Sequence, residues 1–188
     1  MSYLFQCYAK VYDKFMNLFS LDDDTAILNL IESHPQKIAD VGGGTGVTAD
    51  KLIKLGHRVT IIDPCLQMTQ LAKKKNEAIR VINKSMPCEL EEKFDLILIR
   101  DCLHHVKPQT EMLDCCLHML GEDGMIIITD FSPECWKTKL IFLFERCCFE
   151  SIKPVSESKL LGYLEQAGLQ VEQALVNQRD YIVWGRKG

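Results

Sequence analysis

Residues 37–50, KIADVGGGTGVTAD, decide the fold of this chain. An apolar run that contains one acid, Asp40, leads into four glycines within positions 42–46, and a polar stretch follows. This order predicts a buried strand over 37–41, a tight loop, and a helix over about 46–55. Because glycine permits positive φ and removes Cβ, a ligand can approach the backbone of such a loop closely.

The same alternation continues along the chain. It predicts strands at 58–63, 79–83, 94–99 and 125–131, and helices at about 65–75 and 109–120, with Gly121 as the C-cap of the second helix. A helix over 156–168 precedes two strands, about 169–176 and 180–186, joined by a polar hairpin turn. Strand and helix in alternation predict an α/β fold, a doubly wound sheet with one antiparallel strand at its end.

Composition limits the class of protein. The 188 residues, 47% of them hydrophobic, suit one domain over 1–188. The net charge of −4 argues against a nucleic-acid partner. Neither a signal-peptide pattern nor an apolar run of about 20 residues is present, so we expect a cytoplasmic protein without a membrane span. The nine cysteines include no C-x-x-C pair, and we interpret them as reduced thiols without a bound metal.

Two kinds of ligand fit the glycine loop at first sight. Asp63 ends the second strand about 20 residues after the loop, where an acid accepts hydrogen bonds from ribose hydroxyls. Residues 44–49, GTGVTA, fit a dinucleotide fingerprint, so an NAD-dependent oxidoreductase is one alternative. Asp40 favours a cationic adenosyl ligand without phosphates, because a carboxylate repels a pyrophosphate. A domain that binds such a ligand without turnover is the other alternative.

Four stretches in order resemble the motifs of class I S-adenosylmethionine-dependent methyltransferases, most closely the small-molecule enzymes of ubiquinone and menaquinone biosynthesis. They are IADVGGGTGVTADKL, VTIIDPCLQMTQLAKKK, FDLILIRDCLHHV and GMIIITDF. The resemblance implies a Rossmann-like, seven-stranded sheet with an antiparallel last strand, and S-adenosylmethionine as the cofactor. It also implies methyl transfer to a small acceptor.

The resemblance also implies which residues form the cofactor site. Gly42 to Gly44 would approach the methionine moiety, with Asp40 near its ammonium, and Asp63 would hold the ribose. Relatives commonly place an acid after the third strand to bind adenine, whereas this chain has INKSMPC there. The full implied set is Asp40, Gly42, Gly43, Gly44, Asp63, Pro64, Met68, Ser85, Met86, Arg100 and His105.

Methyl transfer is an in-line displacement, in which the protein mainly aligns the reactants and excludes water. A general base is needed only when the acceptor must lose a proton. The candidates, in order of preference, are His105, His104 and Tyr12.

Two apolar segments are available to cover the site and select an apolar or aromatic acceptor. We expect residues 1–36 to form a helical segment over the site. Residues 132–155 read as an apolar helical insertion after the fifth strand. Four interpretations of that insertion remain open: a lid, a dimer surface, a membrane-surface contact, or a helix of the monomer's own core. The chain is accordingly expected to be a monomer or a homodimer.

Overall fold

The computed structural model describes residues 24–132, 138, 153–175 and 180–188. Seven strands form one sheet in the spatial order β3-β2-β1-β4-β5-β7-β6. Strands β1 to β5 are parallel, and β7 runs antiparallel to both of its neighbours. The predicted α/β sheet with an antiparallel last strand is therefore confirmed. The strands are β1 (Lys37–Val41), β2 (Arg58–Ile62), β3 (Arg80–Ile82), β4 (Phe94–Arg100), β5 (Leu120–Phe131), β6 (Leu169–Leu175) and β7 (Asp180–Lys187).

Five helices accompany the sheet in the described ranges: α1 (Thr25–Leu30), α2 (Val47–Lys54), α3 (Leu66–Lys75), α4 (Gln109–Met119) and α5 (Glu157–Gln166). One apolar layer joins alternate sheet residues such as Ile38 and Leu98 to α2 and α3. A second layer joins the intervening residues, such as Ile97, to α4 and α5. Because both faces of β4 are covered, its sequence is apolar almost throughout.

The predicted C-cap at Gly121 is wrong. Helix α4 ends at Met119 and β5 begins at Leu120, so Gly121 lies inside the strand, which starts earlier than 125–131. A Cβ at Gly121 would lie 3.3 Å from the carbonyl oxygen of Phe94, where the β4–β5 register shifts. The glycine therefore permits a close approach of two backbones rather than ending a helix.

The glycine loop lies where the winding of the sheet reverses. From β1 the chain passes outward to β2 and β3, and then returns to β4 on the opposite side of β1. The carboxyl ends of these strands meet at one edge, and ligands of open α/β sheets bind at this reversal. We call this edge the switch-point crevice; it carries residues 42–46, Asp63 and residues 100–105.

Several predicted features fall outside the described residues. These are residues 1–23, which include Tyr12, and residues 133–137 and 139–152 of the predicted insertion. The described part of the chain contains no helix that is both long enough and apolar enough to cross a bilayer.

Candidate functional site

The glycine loop is held tightly against the sheet and α3. Gly42 has φ +78°, and a Cβ there would lie 2.5 Å from Cys102 Sγ. Gly46 has φ +73°, and a Cβ there would lie 2.8 Å from the Cβ of Ala72. At both positions the backbone conformation and the neighbouring atoms exclude a side chain. The sequence thus uses glycine here for shape, and the backbone of the loop is what faces the crevice.

Asp40 lies directly beneath this loop. Asp40 is 2% exposed, and a Cβ on Gly43 would lie 2.5 Å from Oδ2 of Asp40. That oxygen has no hydrogen-bond partner among the described residues. Burial raises the pKa of Asp40 to about 7; the charges of Asp24 and Asp63 act in the same direction, and that of Arg100 opposes them. An unpaired buried carboxylate oxygen is costly, which indicates a site for a cation or a strong donor.

The raised pKa of Asp40 makes a prediction about stability. An acid whose pKa is about 7 in the folded chain and 3.8 in the unfolded chain destabilises the fold as pH rises between those values. We therefore expect Asp40→Asn to increase the free energy of unfolding by about 2 kcal/mol more at pH 8 than at pH 5. Urea unfolding at both pH values measures this difference. An equal effect of the substitution at pH 5 and pH 8 would contradict it.

Asp63 is fixed at the end of β2 by two backbone donors. The amide of Cys65 donates to its Oδ1 (2.7 Å), and the amide of Gly44 donates to its Oδ2 (3.1 Å). Burial raises the pKa of this carboxyl, and both hydrogen bonds lower it. A carboxylate has about four acceptor sites, so two remain for hydroxyl donors. These two backbone donors thus fix the orientation of the Asp63 carboxylate between the loop and α3.

The residues expected around adenine follow β2 and β3, which are neighbours in the sheet. Pro64 and Ser85 are exposed, and Met86 is half-buried against the core. Met68 is 1% exposed and packs on Cys65 and Leu71, so it supports this part of the crevice from below.

Arg100, at the end of β4, turns towards α2. Its Nη1 donates to Asp24 and to Thr48 Oγ1 (2.9 Å), and its Nε lies 3.3 Å from Asp101 Oδ2. Asp24 is 3% exposed and also accepts from Lys51 Nζ (2.7 Å). Sequence reasoning missed Asp24. Three aspartates follow one another in LDDDT, residues 21–25, and no local pattern marks the third as buried.

The two adjacent histidines have different environments. His104 is fully buried; its Nδ1 lies 2.6 Å from Asp130 Oδ1, and its backbone amide donates to Asp130 Oδ2 (3.2 Å). His105 is exposed, with its ring centroid 4.0 Å from that of His104. Both residues lie in a short 3-10 helix, Leu103–His105, in which the ring of His104 is covered and the ring of His105 packs on its outer side. Only His105 of this pair is placed to meet a ligand from solvent.

Cysteine and histidine spacing gave no reason to expect a metal. Within the described ranges, no three His, Cys, Asp or Glu side chains are grouped as metal ligands.

Comparison with known proteins identifies the relatives of this fold. A methyltransferase-domain family model matches residues 12–174. Ubiquinone biosynthesis O-methyltransferase of Mus musculus is 29% identical in an alignment that covers 86% of this chain and 52% of the mouse protein. The chain spans about half the length of such curated relatives.

Solved structures show the same fold. An S-adenosylmethionine-dependent methyltransferase of Thermotoga maritima, described as a possible histamine N-methyltransferase, superposes with a TM-score of 0.78 at 16% identity, over 100% of both chains. The 1,6-didemethyltoxoflavin-N1-methyltransferase of Burkholderia thailandensis, solved with bound 1,6-didemethyltoxoflavin and S-adenosylhomocysteine, gives a TM-score of 0.71 at 20% identity. That alignment covers 98% of this chain and 87% of the other.

Proposed function

The chain belongs to the methyltransferase-domain family, and on that premise we propose that it transfers a methyl group from S-adenosylmethionine to a small molecule. The observation that carries the proposal is the buried, unpartnered oxygen of Asp40 beneath a loop without side chains. This arrangement suits a ligand that presents positive charge to the loop.

The residues of the crevice fit the groups of this cofactor. The Asp40 carboxylate suits the ammonium of the methionine moiety, and the two remaining acceptor sites of Asp63 suit the ribose hydroxyls. Gly42 to Gly44 leave room for the backbone to approach the ligand. When bound, the cofactor supplies an electrophilic methyl group on a sulfonium. The chain contributes alignment of the acceptor and exclusion of water.

A nicotinamide dinucleotide fits these residues less well. Asp24, Asp40 and Asp63 are all buried near the loop; burial is the main cause of the raised pKa of Asp40, and the charges of Asp24 and Asp63 add to it. A diphosphate beside the loop would meet negative potential, with Arg100 already committed to Asp24. The oxidoreductase alternative is therefore second to methyl transfer, whereas the binding-only alternative would use the same residues and is separated from methyl transfer by turnover.

We further propose that the acceptor is small and apolar or aromatic. The mouse relative is named for O-methylation in ubiquinone biosynthesis, which favours an aromatic hydroxyl as the acceptor group here. We include in this proposal that the acceptor is covered by residues 1–36 and 132–155. The cytoplasmic location and the monomeric or homodimeric state stay predictions from the sequence.

Within this proposal, the two histidines have separable roles. His105→Ala is expected to lower transfer to a phenolic acceptor about a hundredfold, because the exposed ring would take the proton of the hydroxyl. It should change the free energy of unfolding by no more than about 0.5 kcal/mol. His104→Ala should instead cost about 2–4 kcal/mol of stability, because Asp130 loses a buried partner. Initial rates and urea unfolding of both variants measure this, and a rate loss confined to His104→Ala would contradict the assignment.

The proposed activity is tested by turnover. The protein is incubated with S-adenosylmethionine and a panel of phenols, catechols with alkyl chains, and aromatic amines, and S-adenosylhomocysteine is quantified. We expect release above the level of Asp63→Ala with at least one aromatic acceptor. Tight S-adenosylmethionine binding without release of product by any acceptor would favour the binding-only alternative.

A further inference from the structure

Asp24 joins three elements around the switch-point crevice. Its backbone carbonyl accepts from Leu28 in α1 (2.8 Å). Its carboxylate accepts from Lys51 Nζ in α2 (2.7 Å) and from Arg100 at the end of β4. Thr48 links the Asp24 carboxylate to the Arg100 guanidinium, since its hydroxyl donates to Asp24 (3.3 Å) and accepts from Arg100 (2.9 Å). Arg100 is therefore held on the side of the crevice where α1 and α2 meet.

The register of the sheet brings Arg100 close to Asp40. Asp40 pairs with Leu98, and Arg100 lies two residues further along β4. Paired residues of parallel strands, and residues two apart on one strand, point to the same face. From the spacing of strands and residues, the Cα atoms of Asp40 and Arg100 are about 8 Å apart, within the span of an arginine side chain and a carboxylate.

Arg100 and Asp40 would otherwise be natural partners. Asp40 is a buried acid with an unpartnered oxygen, and the guanidinium charge of Arg100 already acts on its pKa. An ion pair between the two would neutralise Asp40 and fill the place that a cationic ligand requires. In the structure this does not happen, because Asp24 and Thr48 hold the guanidinium elsewhere.

We infer that Asp24 is a positioning residue that holds Arg100 away from Asp40 and thereby keeps the buried oxygen of Asp40 without an ion-pair partner, so that its charge is left for the ammonium of the cofactor. The inference rests on the proposed function. It also means that Arg100 does not bind the cofactor directly. Its guanidinium is paired with Asp24 and therefore does not compete with the ligand for Asp40.

The test is a double-mutant cycle on S-adenosylmethionine affinity, measured by calorimetry at pH 8 and at several pH values down to 5.5. Asp24→Asn removes the charged partner of Arg100 Nη1 and should weaken binding about tenfold or more, since the guanidinium is then drawn towards the charge of Asp40. Adding Arg100→Gln to Asp24→Asn removes the competitor, and affinity should return to within about threefold of the wild-type value. Lys51→Gln is the matched control: it removes another bond of the same carboxylate but leaves Arg100 held.

The pH dependence of binding separates this role from a structural one. The charged groups that act on Asp40 are Asp24, Arg100 and Asp63. Losing Asp24 should move the pH midpoint of binding downward, and Arg100→Gln alone should move it upward. Melting temperatures confirm that each variant is folded.

Each result bears on the inference. A double variant that binds no better than Asp24→Asn would overturn it, as would shifts of the midpoint in the same direction for both single variants. Should Asp24→Asn not fold, Thr48→Val takes its place, because it removes the other side-chain bond to Arg100 Nη1. Affinity should fall in Thr48→Val and return when Arg100→Gln is added, and a fall that Arg100→Gln does not reverse counts against the inference. Failure of the wild-type protein to bind S-adenosylmethionine at all would refute the proposed function instead.

Discussion

Replacing Asp63 with alanine is expected to weaken S-adenosylmethionine binding by about 10²–10⁴-fold. The carboxylate is oriented by the amides of Gly44 and Cys65, and its remaining acceptor sites face the place proposed for the ribose. Two hydrogen bonds to a charged group contribute about 1.5–3 kcal/mol each, which gives that range. The variant also loses an anchor of the glycine loop. Calorimetric titration with S-adenosylmethionine and with S-adenosylhomocysteine measures the loss.

The matched control for Asp63 is Asp50→Asn. Asp50 is an acid on α2 that pairs with Lys54 and Asn76. Its substitution should leave affinity within about threefold, as a surface ion pair contributes less than about 1 kcal/mol. An Asp63→Ala protein that is folded and binds the cofactor as tightly as Asp50→Asn would show that the ribose does not lie at the end of β2.

Gly43→Ala is the second substitution with a large expected effect. The added Cβ would lie 2.5 Å from Oδ2 of Asp40 and 3.0 Å from a side-chain carbon of Ile61. Either the loop rises or the carboxylate moves, and both disturb the contact with the ammonium. The lost charge-assisted bond contributes about 1.5–3 kcal/mol, so affinity should fall by about 10–150-fold, and overpacking should lower the free energy of unfolding by about 1–3 kcal/mol.

Gly162→Ala is the control for the added methyl group. Gly162 lies in α5, and a Cβ there meets no atom within 4 Å. Alanine should stabilise this helix by about 0.5–1 kcal/mol and leave cofactor affinity unchanged. Thermal melts and titrations of both variants give the comparison. If Gly43→Ala bound the cofactor as well as Gly162→Ala does, Asp40 would not be part of the site.

The features that the sequence predicted are those with a local physical cause. Strand β4 is apolar almost throughout because helices cover both faces of the sheet, and that composition is visible in one run of letters. The loop at 42–46 needs positive φ and close contacts at Gly42 and Gly46, which leaves a run of glycines. The position of Asp63 at the end of β2 could be predicted because it follows an apolar strand about 20 residues after that loop.

The features that the sequence did not predict depend on tertiary contacts. Asp24 becomes a site residue only because α1 brings it beside Lys51 and Arg100, which are distant in the chain. His104 and His105 are identical letters, and only the 3-10 turn and Asp130 determine which is buried. Gly121 resembled a helix cap because the sequence does not show that Phe94 O lies against it.

We expect the buried carboxylate under the glycine loop to select a cationic nucleoside over a diphosphate. Calorimetric titration of the wild-type protein with S-adenosylmethionine and with NAD, at pH 8 and 25 °C, tests it most directly, with Asp40→Asn titrated alongside. We expect one-to-one binding of S-adenosylmethionine, weakened in Asp40→Asn, and no binding of NAD. Binding of NAD that Asp40→Asn strengthens, with no heat from S-adenosylmethionine, would contradict the claim.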